Sequence, residues 1–105
     1  MREVHMKILE IFNSLSNPTV ILSCPTCAKT FKEFFPHIQC ISIYEYIWRN
    51  TIPERARSLS HVAALFDPCS SRQFPDMQNC VRGLLRAVGQ SYVELPENRK
   101  HAICC

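Results

Sequence analysis

The sequence predicts one small α/β domain, in which a mostly parallel sheet carries helices on both faces in a Rossmann-like three-layer arrangement. Short apolar segments rich in β-branched residues alternate with longer segments of helical periodicity. Such alternation requires crossover connections between neighbouring parallel strands. The chain has 105 residues, of which 47% are hydrophobic, so it is long enough to bury one core.

Apolar residues at helical spacing predict the first helix over residues 2–15, which ends at the Asn17-Pro18 pair. The segment 19–24 follows. It is apolar at nearly every position, which is typical of a strand that is buried on both faces. Pro25 then suits the first turn of a second helix, because a proline needs no N–H group there.

A short strand at 38–41 leads into a third predicted helix over residues 42–50. Ser42 and Glu45 have the spacing of a capping box, in which each side chain satisfies an exposed N–H group of the other residue. The helix therefore begins at Ser42.

The last third of the chain predicts a strand at 61–66, a helix from about 76 to 88 and a final strand at 91–95. Gly89 follows the helix where a left-handed C-cap is common. A strand that ends in Pro and Cys before a helix occurs twice, as SCPTC and as FDPCS. In open α/β sheets ligands bind at the carboxyl ends of strands, so both cysteine motifs are expected at one edge of the sheet.

Composition argues against several classes of protein. The net charge is +3, and the basic residues are scattered without interleaved aromatic residues, as on a solvated face, so we do not expect nucleic-acid binding. The apolar runs are far shorter than the roughly 20 residues of a membrane span. The N-terminal segment mixes charges into its apolar positions, unlike a signal peptide. We expect a cytoplasmic protein.

The seven cysteines are many for such a chain, because structural disulfides do not persist in a reducing compartment. Cys80 lies on the apolar stripe of its predicted helix and Cys40 lies in an apolar strand, where a free cysteine behaves as a small buried hydrophobic residue. The other five fall in turns or loops at the ends of predicted elements, where functional residues are common. These five are Cys24, Cys27, Cys69, Cys104 and Cys105.

The CPTC segment, Cys24 to Cys27, spans a predicted helix start, which favours a thiolate. It fits either a redox dithiol or a pair of metal ligands. The adjacent pair Cys104-Cys105 is awkward for one tetrahedral zinc ion but suits a cluster whose separate irons each need a thiolate.

The histidines and Asp67 carry weaker indications. His5, His37 and His61 are interpreted as surface or element-end residues, and His101 as a loop residue despite its position near Cys104. Asp67, next to a proline, is interpreted as a turn former.

The motif DPC at 67–69 and the motif NRKHAICC at 98–105 together resemble the cysteine-rich CCG domain. This family includes a cysteine-rich component of heterodisulfide reductase and the iron-sulfur subunits of glycolate oxidase and anaerobic glycerol-3-phosphate dehydrogenase. Its pattern is a cysteine, a long gap, Cys-Cys-Gly, a similar gap and CxxC, often twice in one chain. SCPTCAKTFKEFFP is similar to the end of one repeat, and the segment from ALFDPCSSR to the double cysteine is similar to the beginning of the next, so the resemblance covers about residues 19–105.

The resemblance implies an iron-sulfur oxidoreductase subunit of the heterodisulfide reductase-like kind, in which each complete repeat supplies five cysteines to a cluster of the 4Fe-4S type. Cys24 and Cys27 would close one ligand set, and Cys69, Cys104 and Cys105 would open the next. No separate catalytic residue is implied. The implied partners are other redox subunits, ferredoxins or flavin-dependent electron-transfer proteins.

The chain also departs from the family pattern. The opening cysteines of the first repeat and the glycine and CxxC of the second do not occur in it, and Phe66 stands where family members often carry histidine. We therefore expect residues 1–105 to be a single domain excised from a longer oxidoreductase, inactive in isolation, with the cluster belonging to the complete protein.

Two alternatives remain open. One is a thioredoxin-like thiol-disulfide oxidoreductase that uses Cys24 and Cys27 without a metal, although only one helix precedes the CPTC strand, where that fold normally places a strand-helix-strand unit. The other is a zinc-stabilised interaction module, in which four of the five loop cysteines bind one metal ion.

Overall fold

The structure, a computed structural model, describes residues 2–104. Helices and strands follow one another in the predicted order, and each strand is shorter than its predicted segment. The helices are α1 (Arg2–Ser14), α2 (Pro25–Phe34), α3 (Ile43–Arg49) and α4 (Pro75–Ala87), and the strands are β1 (Val20–Leu22), β2 (Cys40–Ser42), β3 (Ala63–Leu65) and β4 (Tyr92–Glu94). Two 3₁₀ turns, Cys69–Ser71 and Arg99–His101, follow β3 and β4.

The strands pair as two β-α-β units. β1 and β2 are parallel, with Val20 opposite Cys40, and α2 connects them. β3 and β4 are also parallel, with Ala63 opposite Tyr92, and α4 connects them. Parallel neighbours cannot be joined by a tight hairpin, so each pair needs its crossover helix. Each unit thus carries one of the two cysteine motifs between its first strand and its helix.

The arrangement of these units differs from the single sheet that the sequence predicts. Within residues 2–104 the strands form two separate two-stranded sheets. The molecule measures 45 × 34 × 17 Å. The α/β class is confirmed, and the three-layer arrangement stays a prediction.

Local chemistry explains where several helices begin and end. The Ser42 hydroxyl accepts a hydrogen bond of 3.1 Å from the Glu45 N–H group, so the predicted N-cap of α3 is confirmed. Gly89 has φ = 73° after α4, as its place in the sequence predicts. Ser16 and Asn17 also have positive φ, so the chain leaves the helical path after α1 and before Pro18.

Few apolar side chains among residues 2–104 are buried. They are Leu22, Phe35, Ile38, Met77 and Ala102. The amphipathic helix α1 has no buried residue, and its Ile11 is largely exposed, as is Leu15 just beyond its end. Across residues 2–104, no helix combines the length and the apolar character that crossing a membrane requires.

Candidate functional site

Cys24 and Cys27 lie at the beginning of α2, directly after β1. Cys24 is the N-cap residue, with extended backbone, and its carbonyl accepts the Ala28 N–H group at 3.0 Å. Pro25 occupies the first turn, where the backbone N–H group that proline lacks would have no partner within the helix. Cys24 is half-buried and Cys27 is exposed. The predicted position of the CPTC motif at a helix start is confirmed.

The two thiols of this motif differ in acidity. The backbone N–H groups of Cys27 and Thr26 are the largest influences that lower the pKa of Cys24, although their contacts with the sulfur are too loose for a regular capping hydrogen bond. The Cys27 thiol adds to the effect. Hydrogen bonding to Cys24, burial and the charge of Cys24 raise the pKa of Cys27. Since helix N-termini favour anions, Cys24 ionises before Cys27.

Cys69 lies in the loop that follows β3, which we name the DPC loop (residues 66–72). It is half-buried in the 3₁₀ turn. The Ser71 hydroxyl closes this turn by donating to the Pro68 carbonyl at 2.7 Å. Arg72 donates from Nε to the Cys69 carbonyl at 3.0 Å and contacts the Cys104 sulfur from Nη2 at 3.9 Å. The structure therefore brings Cys69 and Cys104 to the same arginine.

Cys104 lies in the loop that follows β4, which we name the NRKH loop (residues 95–104). A buried network joins this loop to the DPC loop. The Asp67 carboxylate forms an ion pair with Arg82 of α4, with 2.6 Å between Oδ2 and Nη2, and accepts the Arg99 N–H group at 3.0 Å. The Asn98 side chain accepts the Asp67 N–H group at 2.9 Å and donates to the Leu65 carbonyl at 2.8 Å. We call Asp67, Arg82, Asn98 and Arg99 the Asp67 network.

The two cysteine motifs border one cavity of about 180 Å³. Pro25, between Cys24 and Cys27, and Pro68, next to Cys69, both line this cavity. α2 also packs against the 3₁₀ turn that contains Cys69. Each motif follows the carboxyl end of a parallel strand, but the strands belong to separate sheets, so the two motifs do not share the edge of one sheet as predicted. The packing of α2 against the 3₁₀ turn brings them together instead.

The donor set allows a test of whether these residues fit a metal or cluster. Among residues 2–104, no three His, Cys, Asp or Glu side chains come close enough together to hold a metal ion. The four-thiolate zinc site does not fit this arrangement, because any four of the five loop cysteines include at least three from this part of the chain. An iron-sulfur cluster does not fit the described thiols alone either: each motif offers at most two, and Cys105 lies outside the described residues.

Cys40 and Cys80, which the sequence predicts to be core residues, lie outside the two cysteine motifs. Cys40 and Cys80 are half-buried, and burial is the largest influence that raises the pKa of each. Cys40 lines a second cavity of about 290 Å³ between α2 and α3. Neither cysteine belongs to the buried core, so the fully buried position that the sequence predicts is met only in part.

Two polar residues have roles that the sequence interpretation missed. Asp67 is not simply a turn former, since its side chain is buried and forms an ion pair. Arg82 is not on a solvated face; it is 1% exposed, and the carboxylates of Asp67 and Glu94 outweigh its burial and raise its pKa. The sequence did contain an indication of this pairing. Gln78 and Arg82 are one helical turn apart beside the apolar stripe of α4, so their side chains lie on the same side of the helix.

The histidines lie outside the CPTC segment and the DPC loop. His5 packs against the rings of Phe34 and Phe35, at centroid distances of 4.8 and 5.2 Å. His37 and His61 are exposed, and His101 is exposed in the 3₁₀ turn after β4. These positions agree with the roles at surfaces, element ends and loops that the sequence predicts.

Comparison with known proteins adds no relative: no protein-family model matches the chain, and no curated protein or solved structure shows a significant match to it.

Proposed function

We propose that this chain supplies thiolate ligands to iron-sulfur clusters in an oxidoreductase of the CCG type. Cys24 and Cys27 belong to one ligand set, and Cys69, Cys104 and Cys105 belong to a second. The single observation that carries the proposal is the common cavity, which Pro25 and Pro68 of the two cysteine motifs both line. Two ligand sets so placed would allow electron transfer between neighbouring clusters.

The types of ligand and their surroundings support this proposal. Soft thiolates at loop positions are the ligands that iron-sulfur clusters prefer. A thiolate-ligated cluster is anionic, and Arg72 places a guanidinium between the Cys69 carbonyl and the Cys104 sulfur. When bound, such a cluster takes up and releases single electrons. Each set needs further thiolates beyond those in residues 2–104.

The proposal extends to the partners and to the finer architecture. Electrons would come from other redox subunits, a ferredoxin or a flavin-dependent protein. The two β-α-β units would belong to a Rossmann-like three-layer fold. Ile21 of β1 and Val93 of β4, about half exposed, support this extension, because parallel strands are normally covered on both faces.

Anaerobic reconstitution of the full chain with iron, sulfide and a small thiol, which can supply the remaining ligands, tests the proposal. We expect bound iron, acid-labile sulfide and a broad visible absorption. The double variant Cys104→Ser/Cys105→Ser should lose most of the signal from the second set, whereas Cys80→Ser, a matched control outside both motifs, should keep it. Equal iron content and an unchanged spectrum in the double variant would contradict the assignment.

A second function, thiol-disulfide exchange at Cys24 and Cys27, is favoured by the position of this pair at the α2 N-terminus. The Cys24 thiolate would attack one sulfur of a substrate disulfide, forming a mixed disulfide and releasing one substrate thiolate. Cys27 would then lose its proton and attack the Cys24 sulfur, which releases the second substrate thiolate. Two protein thiols are oxidised, and one substrate disulfide is reduced by two electrons.

This second function makes different demands on the chain. Reduction of a small aromatic disulfide should depend on Cys24 and Cys27 and should be indifferent to Cys69→Ser or Cys104→Ser. A measured potential for the Cys24-Cys27 pair, determined against glutathione, would support it. Iron-dependent absorption that requires Cys69 and Cys104 would favour the cluster proposal instead.

A further inference from the structure

We propose that Asp67 and Arg82 are positioning residues, which hold the DPC loop and the NRKH loop together and thereby keep the Cys69 and Cys104 thiols at a fixed separation. The inference deepens the proposed function, on which it rests for the chemical role of the two thiols. Cluster ligation requires several thiolates at defined distances, and loops by themselves do not hold side chains in such a geometry.

Asp67 is the point at which three parts of the chain meet. Its carboxylate accepts Arg82 Nη1 at 3.2 Å and Nη2 at 2.6 Å, which is the bidentate geometry of a strong charge-assisted pair. The same carboxylate accepts the backbone N–H group of Arg99 at 3.0 Å. A single buried side chain therefore connects the DPC loop, α4 and the NRKH loop.

Asn98 provides a second connection between the two loops, through hydrogen bonds to backbone groups. Its side chain bonds to the carbonyl of Leu65 in β3 and to the N–H group of Asp67. Both polar ends of the amide are thereby used on the chain that leads into Cys69. The DPC and NRKH loops cannot move apart without breaking the half-buried hydrogen bonds that Asp67 and Asn98 form between them.

The backbone of the NRKH loop indicates that it is held in place. Glu97 and Arg99 have φ of 62° and 57°, a region that non-glycine residues seldom adopt. Such conformations persist where surrounding contacts over-determine them, and they concentrate at functional sites. Here the Arg99 N–H group is the one that Asp67 accepts, so the strained residue and the buried carboxylate are in direct contact.

α4 supports both loops from one side. Arg82 also donates to the Gln78 carbonyl at 3.0 Å and to the Glu94 carboxylate, at the end of β4 where the NRKH loop begins. Gln78 donates to the Ser71 hydroxyl at 3.0 Å, in the turn that contains Cys69. Arg99 reaches back to Asn79 at 2.7 Å. A rigid helix thus sets the distance between the two loops.

The test measures the separation of the two thiols without iron. In the full chain, Cys24, Cys27, Cys40, Cys80 and Cys105 are replaced by serine or alanine, so that only Cys69 and Cys104 react with bismaleimides of increasing length. We expect one reagent length to dominate. Asp67→Ala should reduce that selectivity about tenfold, because intramolecular reaction depends steeply on geometry, whereas Asp67→Asn, which keeps an acceptor for Arg99, should retain part of it.

A control separates positioning from general stability. Ile38→Ala removes a buried side chain in the other β-α-β unit and should lower stability while leaving the length selectivity unchanged. If Asp67→Ala fails to fold, Asn98→Ala, which removes only neutral hydrogen bonds, takes its place with the same expected loss of selectivity. Unchanged selectivity in these variants, or an equal loss in Ile38→Ala, would overturn the inference.

Cross-linking of the cysteine-substituted chain and iron binding by the wild-type chain distinguish failure of this inference from failure of the proposed function. Selectivity that depends on Asp67 in a chain that binds no iron would sustain positioning and refute the cluster ligation. Iron binding that requires Cys69 and Cys104, with selectivity that ignores Asp67 and Asn98, would do the opposite.

Discussion

Gly83 of α4 lies directly against the indole ring of Trp48 on α3. A Cβ atom built on Gly83 would stand 3.0 Å from Cη2 and 3.1 Å from Cζ3 of that ring. Even one methyl group would therefore force the ring or the helix to shift. The two helices pack closely because position 83 has no side chain, and this packing connects the second β-α-β unit to α3, which follows the first.

Gly83→Ala should destabilise the chain by about 1–3 kcal/mol, the usual effect of overpacking. Gly89→Ala is the matched control, because a Cβ there meets nothing within 4 Å but the backbone has φ = 73°; we expect a loss of roughly 1–2 kcal/mol from the strained conformation alone. Chemical denaturation with Trp48 fluorescence measures both. The native emission should shift in Gly83→Ala only, and an unshifted spectrum there would refute the contact.

Arg82→Met should destabilise the fold by roughly 3–5 kcal/mol, because it leaves the buried Asp67 carboxylate without its cation. Glu94→Gln is the comparison, since Glu94 is 41% exposed and its bond to Arg82 is partly screened; we expect a loss of about 1 kcal/mol or less. Urea unfolding followed by circular dichroism measures both. Equal losses in the two variants would mean that Asp67 is not the main partner of Arg82.

The acidity of Cys24 predicts a pH dependence. Because the folded state lowers its pKa, ionised Cys24 stabilises the fold; this contribution is complete above the pKa of the unfolded thiol and is lost as the pH falls through the folded pKa. Relative to Cys24→Ser, the wild-type chain should therefore gain stability towards alkaline pH. Cys80, whose pKa burial raises, should show the opposite sign against Cys80→Ser.

Alkylation kinetics test the same acidity directly. With iodoacetamide and mass spectrometry, Cys24 should react at a lower pH than Cys27. Cys27→Ala should move the Cys24 profile upwards only in part, since the backbone N–H groups remain. A profile for Cys24 that coincides with that of a cysteine in the denatured chain would contradict the influence of α2.

Ser42→Ala should cost about 1 kcal/mol, the typical effect of removing an N-cap. Ser60→Ala, an exposed serine in the link between α3 and β3, is a suitable control and should change the stability little. Thermal unfolding of the two variants measures the difference. Similar melting temperatures for both would show that the Ser42 cap contributes nothing.

Local patterns in the sequence were enough to predict the elements and the setting of the CPTC motif. The helical spacing of Ile8 and Ile11, the proline at position 25 and the glycine at position 89 act within one or two turns of chain. Their effects depend on backbone sterics and on the N–H groups of neighbouring residues, so they can be inferred from the local sequence alone. The same reasoning placed both cysteine motifs after strands.

Only the tertiary structure decided how these parts combine. The pairing of the strands, the burial of Arg82 against Asp67, and the contact of Arg72 with the Cys104 sulfur all depend on contacts between distant residues. A charged side chain is expected at the surface until its partner is known, because burial of an ion becomes tolerable only when an opposite charge is held against it. The sequence by itself determined which positions carry thiols and that they follow strands. Only the fold decided that the loops of Cys69 and Cys104 are joined through Asp67 and Asn98.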